Sequence, residues 1–349
     1  MIPLSAPIDV SIELTARCNL HCLHCFQPDD RKYPALTTNE ILDIGHQMAE
    51  MGVFAVFLSG GEPLLNPDWS IIGSVFVSLG LTVGLSTNGT LITLETALKI
   101  KELGLYKALQ VSIEGSTPRI HDAIRGEGSF EKTVRGLDHL AEVGIYPNIA
   151  VTVMKPNIHD VPNIIDFALR RNLNHVHVMS LMPAGRAKKH FQKLDPSLED
   201  WISMEEVLQN KAHYLKGKIS VDWGNRRYLP RDHGFSEDQY TEVDRAFTGC
   251  PAGKSKAVID FGGFLYGCDL LKYENICAGN IRQTPIAKIW NSSSAFSDWR
   301  SRTPESIIGK CKYCKWLFAC VGGCPALSIA DGFTMHHSDP SCPGPVNKE

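Results

Sequence analysis

The first half of the chain alternates short apolar runs with longer segments whose apolar residues recur every three to four positions. Residues 8–14 read as a strand, and Thr37 with Glu40 forms a capping box opening a helix that stops near Gly52. Residues 53–58 are apolar without alternation, the pattern of a strand buried on both faces. The rhythm continues with helices over 68–79, 93–103, 130–143 and 159–170, and strands over 81–86, 108–114, 148–154 and 175–180. Strand–helix units in series predict parallel strands joined by right-handed crossovers. Eight units would close a barrel. The six read here predict an α/β fold with an open, partial (β/α)6 barrel. Residues 201–214 fit one more helix, and residues 217–249 are polar and irregular, with Arg226, Arg227, Arg231 and His233. From Cys250 onward the chain is rich in Gly, Cys and aromatics. The expected organisation is a barrel domain over 1–215, a bridging segment over 216–249 and a small cysteine-rich domain over 250–349.

The 349 residues are 43% hydrophobic and 21% charged, as in ordinary globular proteins. A formal net charge of -3 gives no bulk attraction to nucleic acid or membrane, so neither is an expected partner. Residues 1–9 lack a basic n-region and a long apolar core, and no run approaches a membrane span, which makes the cytoplasm the expected address. Eleven cysteines change the picture, because that number is high for a cytoplasmic chain and is odd, against a pure disulfide framework.

Cys18, Cys22 and Cys25 follow the first strand with three and two residues between them. A structural zinc site closes its shell with four ligands, whereas the local count here stops at three. Thiolates suit iron–sulfur clusters, and three of them on a four-iron cube leave one iron free. The competing reading is a zinc knuckle or three unrelated buried cysteines. His21 and His24 lie inside the motif and read as loop spacers. Ser59-Gly60-Gly61-Glu62-Pro63 follows the second strand, at the barrel face that carries chemistry. Its glycines permit close backbone approach to a ligand, and its carboxylate and carbonyls can accept hydrogen bonds from an ammonium group. Asn88 ends the third strand, either as a ligand contact or as a turn residue before Gly89, while Ser112 and Glu114 end the fourth. A second constellation runs Cys250, Cys268, Cys311, Cys314, Cys320, Cys324 and Cys342. Its Cys-x2-Cys pair is also the mark of a zinc ribbon.

The segment from Cys18 to Phe26 resembles the signature of the radical S-adenosylmethionine superfamily, with Phe26 at the aromatic position after the third cysteine. The resemblance implies a partial barrel and S-adenosylmethionine chelated by the open iron. It also implies reductive cleavage of a carbon–sulfur bond to a 5′-deoxyadenosyl radical. Gly60, Gly61 and Glu62 resemble the family's Gly-Gly-Glu-Pro motif, which holds the methionine amino group. Asn88, Ser112 and Glu114 stand where relatives contact the cofactor, although many relatives have Asp in place of Glu114. Arg125 implies either a partner for the cofactor carboxylate or a surface salt bridge. Residues 179–186 imply an adenine contact or, at Arg186, the start of the next loop.

The later cysteines resemble the SPASM extension of radical enzymes. By that resemblance Cys311, Cys314, Cys320 and Cys342 hold the outer auxiliary cluster, and Cys250, Cys268 and Cys324 the inner one. Cys277 is the remaining cysteine and the provisional fourth inner ligand, its alternative being a spare thiol beside an open cluster site. The cofactors implied are S-adenosylmethionine and three [4Fe-4S] clusters, one for the radical and two auxiliary. Asp269, directly after Cys268, matches an acidic residue proposed as a base in relatives, against a plain loop Asp. The implied activity is that of a radical oxidoreductase or maturase acting on a peptide or protein side chain. The alternative is oxidation, epimerisation or side-chain trimming of a sugar, tetrapyrrole or other cofactor precursor. A non-catalytic electron carrier is the rival class, but a carrier needs no amine-binding loop at 60–63. Expected partners are the peptide or small-molecule substrate and an electron donor such as flavodoxin or ferredoxin. A separate leader-peptide-binding protein is expected too, because the chain begins almost at its first strand.

Overall fold

In the computed structural model, residues 4–28, 31–224, 249–272, 276–342 and 344 are described. The capping box at Thr37 forms: the Glu40 N–H donates to Thr37 Oγ1 at 3.3 Å, and the Thr37 N–H to Glu40 Oε2 at 2.7 Å. It opens α1 (Thr38–Met51), which Gly52 closes in the left-handed region at φ 79. The series continues with β1 (Asp9–Glu13) before α1, then β2 (Ala55–Ser59), α2 (Trp69–Ser78), β3 (Thr82–Thr87), α3 (Leu94–Glu102) and β4 (Leu109–Ser112). Next come α4 (Pro118–Arg125), α5 (Ser129–Glu142), β5 (Asn148–Val153), α6 (Val161–Arg170), β6 (His175–Ser180), α7 (Gly185–Leu194), α8 (Leu198–Leu215) and β7 (Ser220–Gly224). Strands β1 to β7 pair in sequence, every pair parallel. The expected α/β partial barrel is therefore what the chain builds, with β7 following the six strands that the apolar runs indicated. Ile12, Leu58, Leu85, Val111, Val151 and Val178 all lie on the helix-covered side and join one buried core. Burying each such side chain contributes about 1.5–3 kcal/mol.

Three features depart from the sequence reading. Strand β7 occupies part of the segment expected to be an irregular bridge. Residues 225–248, including Arg226, Arg227, Arg231 and His233, lie outside the described residues. Helices α4 and α7 were not expected, being short and largely polar. The cysteine-rich region also extends the barrel's own sheet. Strand β8 (Lys256–Ile259) pairs parallel to β1, β9 (Phe264–Tyr266) runs antiparallel to β8, and β10 (Gly279–Asn280) antiparallel to β9. The result is a single ten-stranded sheet in the order β10-β9-β8-β1-β2-β3-β4-β5-β6-β7. Ile259, Leu265, Trp290 and Phe296 belong to the same core as Ile12 and Leu58. Because β8 lies beside β1, the loops that follow these two strands emerge side by side at the same end of the barrel.

Candidate active site at the open end of the barrel

The loop after β1 carries Cys18, Cys22 and Cys25, all free thiols. It is held from several directions. The Leu23 N–H donates to Ile124 O at 3.0 Å, and the Ala187 N–H in the first turn of α7 donates to Cys25 O at 3.2 Å. Arg186 Nε donates to Cys22 O at 3.1 Å. Arg186 thus starts a helix that clamps the cysteine loop, rather than a loop. Gly185, with φ +53, is needed there, since a Cβ would stand 2.5 Å from Gln27 O. Asn88 Nδ2 donates to Asn19 Oδ1 at 2.9 Å and lies 4.0 Å from Cys18 Sγ.

Glycines 60 and 61 make a close approach, but to the chain's own backbone. A Cβ on Gly60 would lie 2.4 Å from Thr15 O, and one on Gly61 2.2 Å from Arg17 O. The Gly61 and Glu62 N–H groups donate to those same two carbonyls, each at 2.8 Å. The motif therefore fixes the chain where it enters the cysteine loop. The Glu62 carboxylate is buried and accepts the Thr87 hydroxyl at 2.7 Å, the Asn88 N–H at 2.8 Å and the Leu64 N–H at 3.3 Å. Burial raises its carboxyl above the ordinary range, with the bonds from Asn88 and Thr87 opposing. Glu62→Ala should accordingly lower apoprotein stability as well as cofactor affinity, since each buried donor left unpaired costs about 1–3 kcal/mol. A thermal melt of the apoprotein beside an S-adenosylmethionine titration measures both, and loss confined to affinity would remove the structural role.

Ser112 stands half-buried at the end of β4. Glu114 is buried, with Arg125 Nη2 at 2.8 Å, His24 Nε2 at 3.3 Å and the Thr152 N–H at 2.7 Å from its oxygens. Burial alone would raise its carboxyl, but His24 and Arg125 hold it down to about 2. Two expectations are corrected here. His24 is no spacer, because it ties the cysteine loop to the end of β4; His21 is exposed, as a spacer would be. Arg125 makes no surface bridge, for it is 8% exposed and paired inside. The Glu114 carboxylate positions the cysteine loop through His24.

A second ionic network lies where β1 and β8 end side by side. Lys272 Nζ is 2.5 Å from Glu13 Oε1 and 2.6 Å from Asp269 Oδ1. Glu13 also accepts from Arg31 at 2.7 Å, and Arg31 reaches Gln27 at 2.8 Å. Asp260 accepts from the Tyr33 hydroxyl. Burial would raise the Glu13 carboxyl, yet Lys272 and Arg31 bring it down to about 2. Lys272 Nζ also sits 5.6 Å from the ring centroid of Phe26, which is 38% exposed. Asp269, the candidate base, is one-third exposed and anchored by Lys272. Sequence reasoning missed Glu13, Arg31 and Lys272. The signal was Glu13 set between apolar Ile12 and Leu14 at the end of a buried strand, a carboxylate that requires a buried partner.

Seven of the eight remaining cysteines gather as two groups. Cys268 is pushed up to about 12 by burial, with Cys250, Asp269 and Cys324 as acidic neighbours adding to it. Cys311 is hydrogen-bonded to Cys342, which raises the first thiol and lowers the second. Burial pushes Cys320 up to about 12, and Cys342 and Cys314 add to that. Asp339, fully buried, links the two groups by accepting the Cys324 N–H at 2.9 Å and the hydroxyl of Ser341, beside Cys342, at 2.6 Å. Cys277 is exposed. In the barrel loop, burial raises Cys22 to about 11, and Cys25 and Cys18 add to it. Converging thiols that raise one another this way fit metal-cluster ligands, because bound iron neutralises the thiolates that otherwise repel.

Residues 12–168 match the radical SAM superfamily, and residues 250–315 match SPASM, an iron-sulfur cluster-binding domain. The AdoMet-dependent heme synthase of Methanosarcina barkeri is 32% identical over 352 residues, covering 97% of this chain and 97% of that protein. The chain belongs to the radical SAM superfamily. This radical SAM enzyme is also 30% identical over 345 residues to the mycofactocin maturase MftC of Mycobacterium tuberculosis, covering 97% of this chain and 83% of the maturase. In fold it is similar to Streptococcus suis SuiB bound to precursor peptide SuiA, with a TM-score of 0.81 at 19% identity over 98% of this chain and 77% of SuiB. It is likewise similar to anSMEcpe with bound AdoMet and Cp18Cys peptide, with a TM-score of 0.72 at 18% identity over 95% of this chain and 93% of that one. Radical SAM membership brings S-adenosylmethionine and a [4Fe-4S] cluster, and the SPASM region binds iron–sulfur. No helix among the described residues is long and apolar enough to cross a membrane.

Proposed function

We propose that the radical SAM enzyme oxidises a peptide or protein side chain at the open end of its barrel. Cys18, Cys22 and Cys25 would hold the cluster that binds S-adenosylmethionine, beside Gly60, Gly61, Glu62, Asn88 and Ser112. Cys311, Cys314, Cys320 and Cys342 would hold the outer auxiliary cluster, and Cys250, Cys268, Cys324 and Cys277 the inner one. When bound, these groups supply a 5′-deoxyadenosyl radical that takes a substrate hydrogen and a sink for the electron left behind. The observation that carries this reading is the Glu13–Lys272–Asp269 chain of contacts. It ties the end of β1, just before the cysteine loop, to the loop after Cys268. Asp269, held in that junction by Lys272, would accept the proton a substrate sheds on losing its electron. Lys272 holds the carboxylate in position. The likeness to the maturase MftC supports a peptide substrate.

One observation favours a second reading, a tetrapyrrole side chain: the match to the heme synthase spans 97% of both proteins. Anaerobically reconstituted enzyme, reduced and given S-adenosylmethionine, should form 5′-deoxyadenosine. Precursor peptides and iron tetrapyrroles offered separately decide the class by which one changes mass. Asp269→Asn should slow product formation while deoxyadenosine is still made, and equal product per deoxyadenosine would remove the base role. Cys277→Ala should lose inner-cluster iron, and full iron content would make Cys277 a spare thiol. An electron donor of the flavodoxin or ferredoxin type and a separate leader-binding protein complete the proposed partners.

A further inference from the structure

Strand β6 carries His175 and His177 on one face, and β7 carries Asp222 on that same face, with His177 in register with Asp222. Val176 and Val178 between and after them belong to the helix-covered core. Alternation along the strand therefore turns the two histidines toward the concave inner face of the barrel. His175 Nε2 lies 2.6 Å from Asp222 Oδ1, and His177 Nδ1 lies 2.6 Å from Asp222 Oδ2. All three potential ligand atoms lie within 4.8 Å of one another. The side chains are 27%, 36% and 53% exposed in that order, so the group opens to solvent on one side.

The register places this group relative to the cofactor end of the barrel. Ser112, Ala150, His177 and Asp222 form one row across β4, β5, β6 and β7. Two strand spacings put His177 roughly 10 Å from Ser112. Only the Ala150 methyl projects between them, so the inner face between Ser112 and His177 carries no bulky side chain.

A staple for the edge strand would be the plain explanation. Yet β7 is already paired with β6 over five positions, and one carboxylate meeting two imidazoles exceeds what that register requires. Two histidines and one carboxylate on adjacent strands are a donor set suited to first-row divalent metals, and they leave coordination positions open. Bonds near 2.0–2.1 Å set ligand atoms roughly 3.3 Å apart in a tetrahedral shell. The 2.6 Å contacts would need to open by less than 1 Å to admit an ion, within reach of partly exposed side chains.

We propose that His175, His177 and Asp222 form a divalent transition-metal site on the inner face of the barrel, separate from the cluster cysteines. Its open positions take a carboxylate or hydroxyl oxygen of the substrate. The substrate half of this statement rests on the function proposed above; the metal half does not. The test uses chelator-treated, fully cluster-reconstituted enzyme, equilibrated with zinc and desalted. Wild type should retain about one zinc per chain in elemental analysis, the complement of one three-ligand site. His177→Gln and Asp222→Asn should retain less than about a fifth of that, with iron and sulfide unchanged. Manganese binding followed by electron paramagnetic resonance should show the same loss. Circular dichroism melts of both variants separate metal loss from unfolding, and His175→Gln supplies a third variant if either fails to fold. Equal zinc in wild type and folded variants, or none in wild type, would overturn the site and leave a hydrogen-bonded staple. Zinc retention is measured without substrate, so a wrong substrate class would leave it untouched.

Discussion

Replacing Cys18, Cys22 and Cys25 together with Ala will abolish 5′-deoxyadenosine formation and remove about four of roughly 12 iron per chain, counting four iron per cubane. The three thiols share one loop, and the groups that fix it are local to the barrel: Arg186, Ile124, Asn88 and the Glu114–His24 pair. Seven later cysteines gather as two groups on other loops, where Asp339 accepts the Cys324 N–H. Removing the barrel thiols should therefore leave the auxiliary iron in place. Iron and sulfide analysis beside a deoxyadenosine assay measures both halves. Cofactor cleavage persisting at the wild-type rate would place the cofactor on another cluster. A wild-type content near four iron, with the later cysteines holding zinc, would remove the auxiliary clusters from the proposal.

Lys272→Met will destabilise the protein by roughly 3–5 kcal/mol, because it leaves Glu13 and Asp269 without their shared cation. The Lys272 side chain is fully buried, as is that of Glu13. A chemical-denaturation series on the apoprotein measures the loss. The double variant Glu13→Gln, Lys272→Met should recover part of it, because the two residues are directly coupled. The same network sets an acid limit. Glu13 is held at about 2 in the folded protein, against an ordinary 4.5. A depressed carboxylate contributes stability that is present above its unfolded value and lost as pH falls through the folded one. That contribution should disappear between about pH 4.5 and 2, and Glu13→Gln should flatten this part of the profile. An unchanged acid slope in Glu13→Gln would show that the pair carries no linked proton.

The early strands and helices were legible because their signals are local. Apolar runs and the Thr37 capping box are written in neighbouring residues, and the expected strand over 175–180 coincides with β6. Strand β7 escaped although Val221 and Trp223 alternate with Ser220 and Asp222, because so short an alternation at the start of a polar stretch is a weak signal until it pairs with β6. The cysteines were legible by spacing, but their grouping is a matter of tertiary contact. Glu114 meets His24 across 90 positions of sequence, and Lys272 meets Glu13 across 259. Nothing in either segment announces the other. The sequence by itself determined which residues could become thiolate ligands and which stretches could become strands, since chemistry and periodicity are properties of short segments. The tertiary structure decided which charges are buried together, why Gly60 and Gly61 must be glycine, and which histidines face inward. Those outcomes depend on strand order and register, and the adjacency of β8 to β1 is fixed only when the whole sheet assembles.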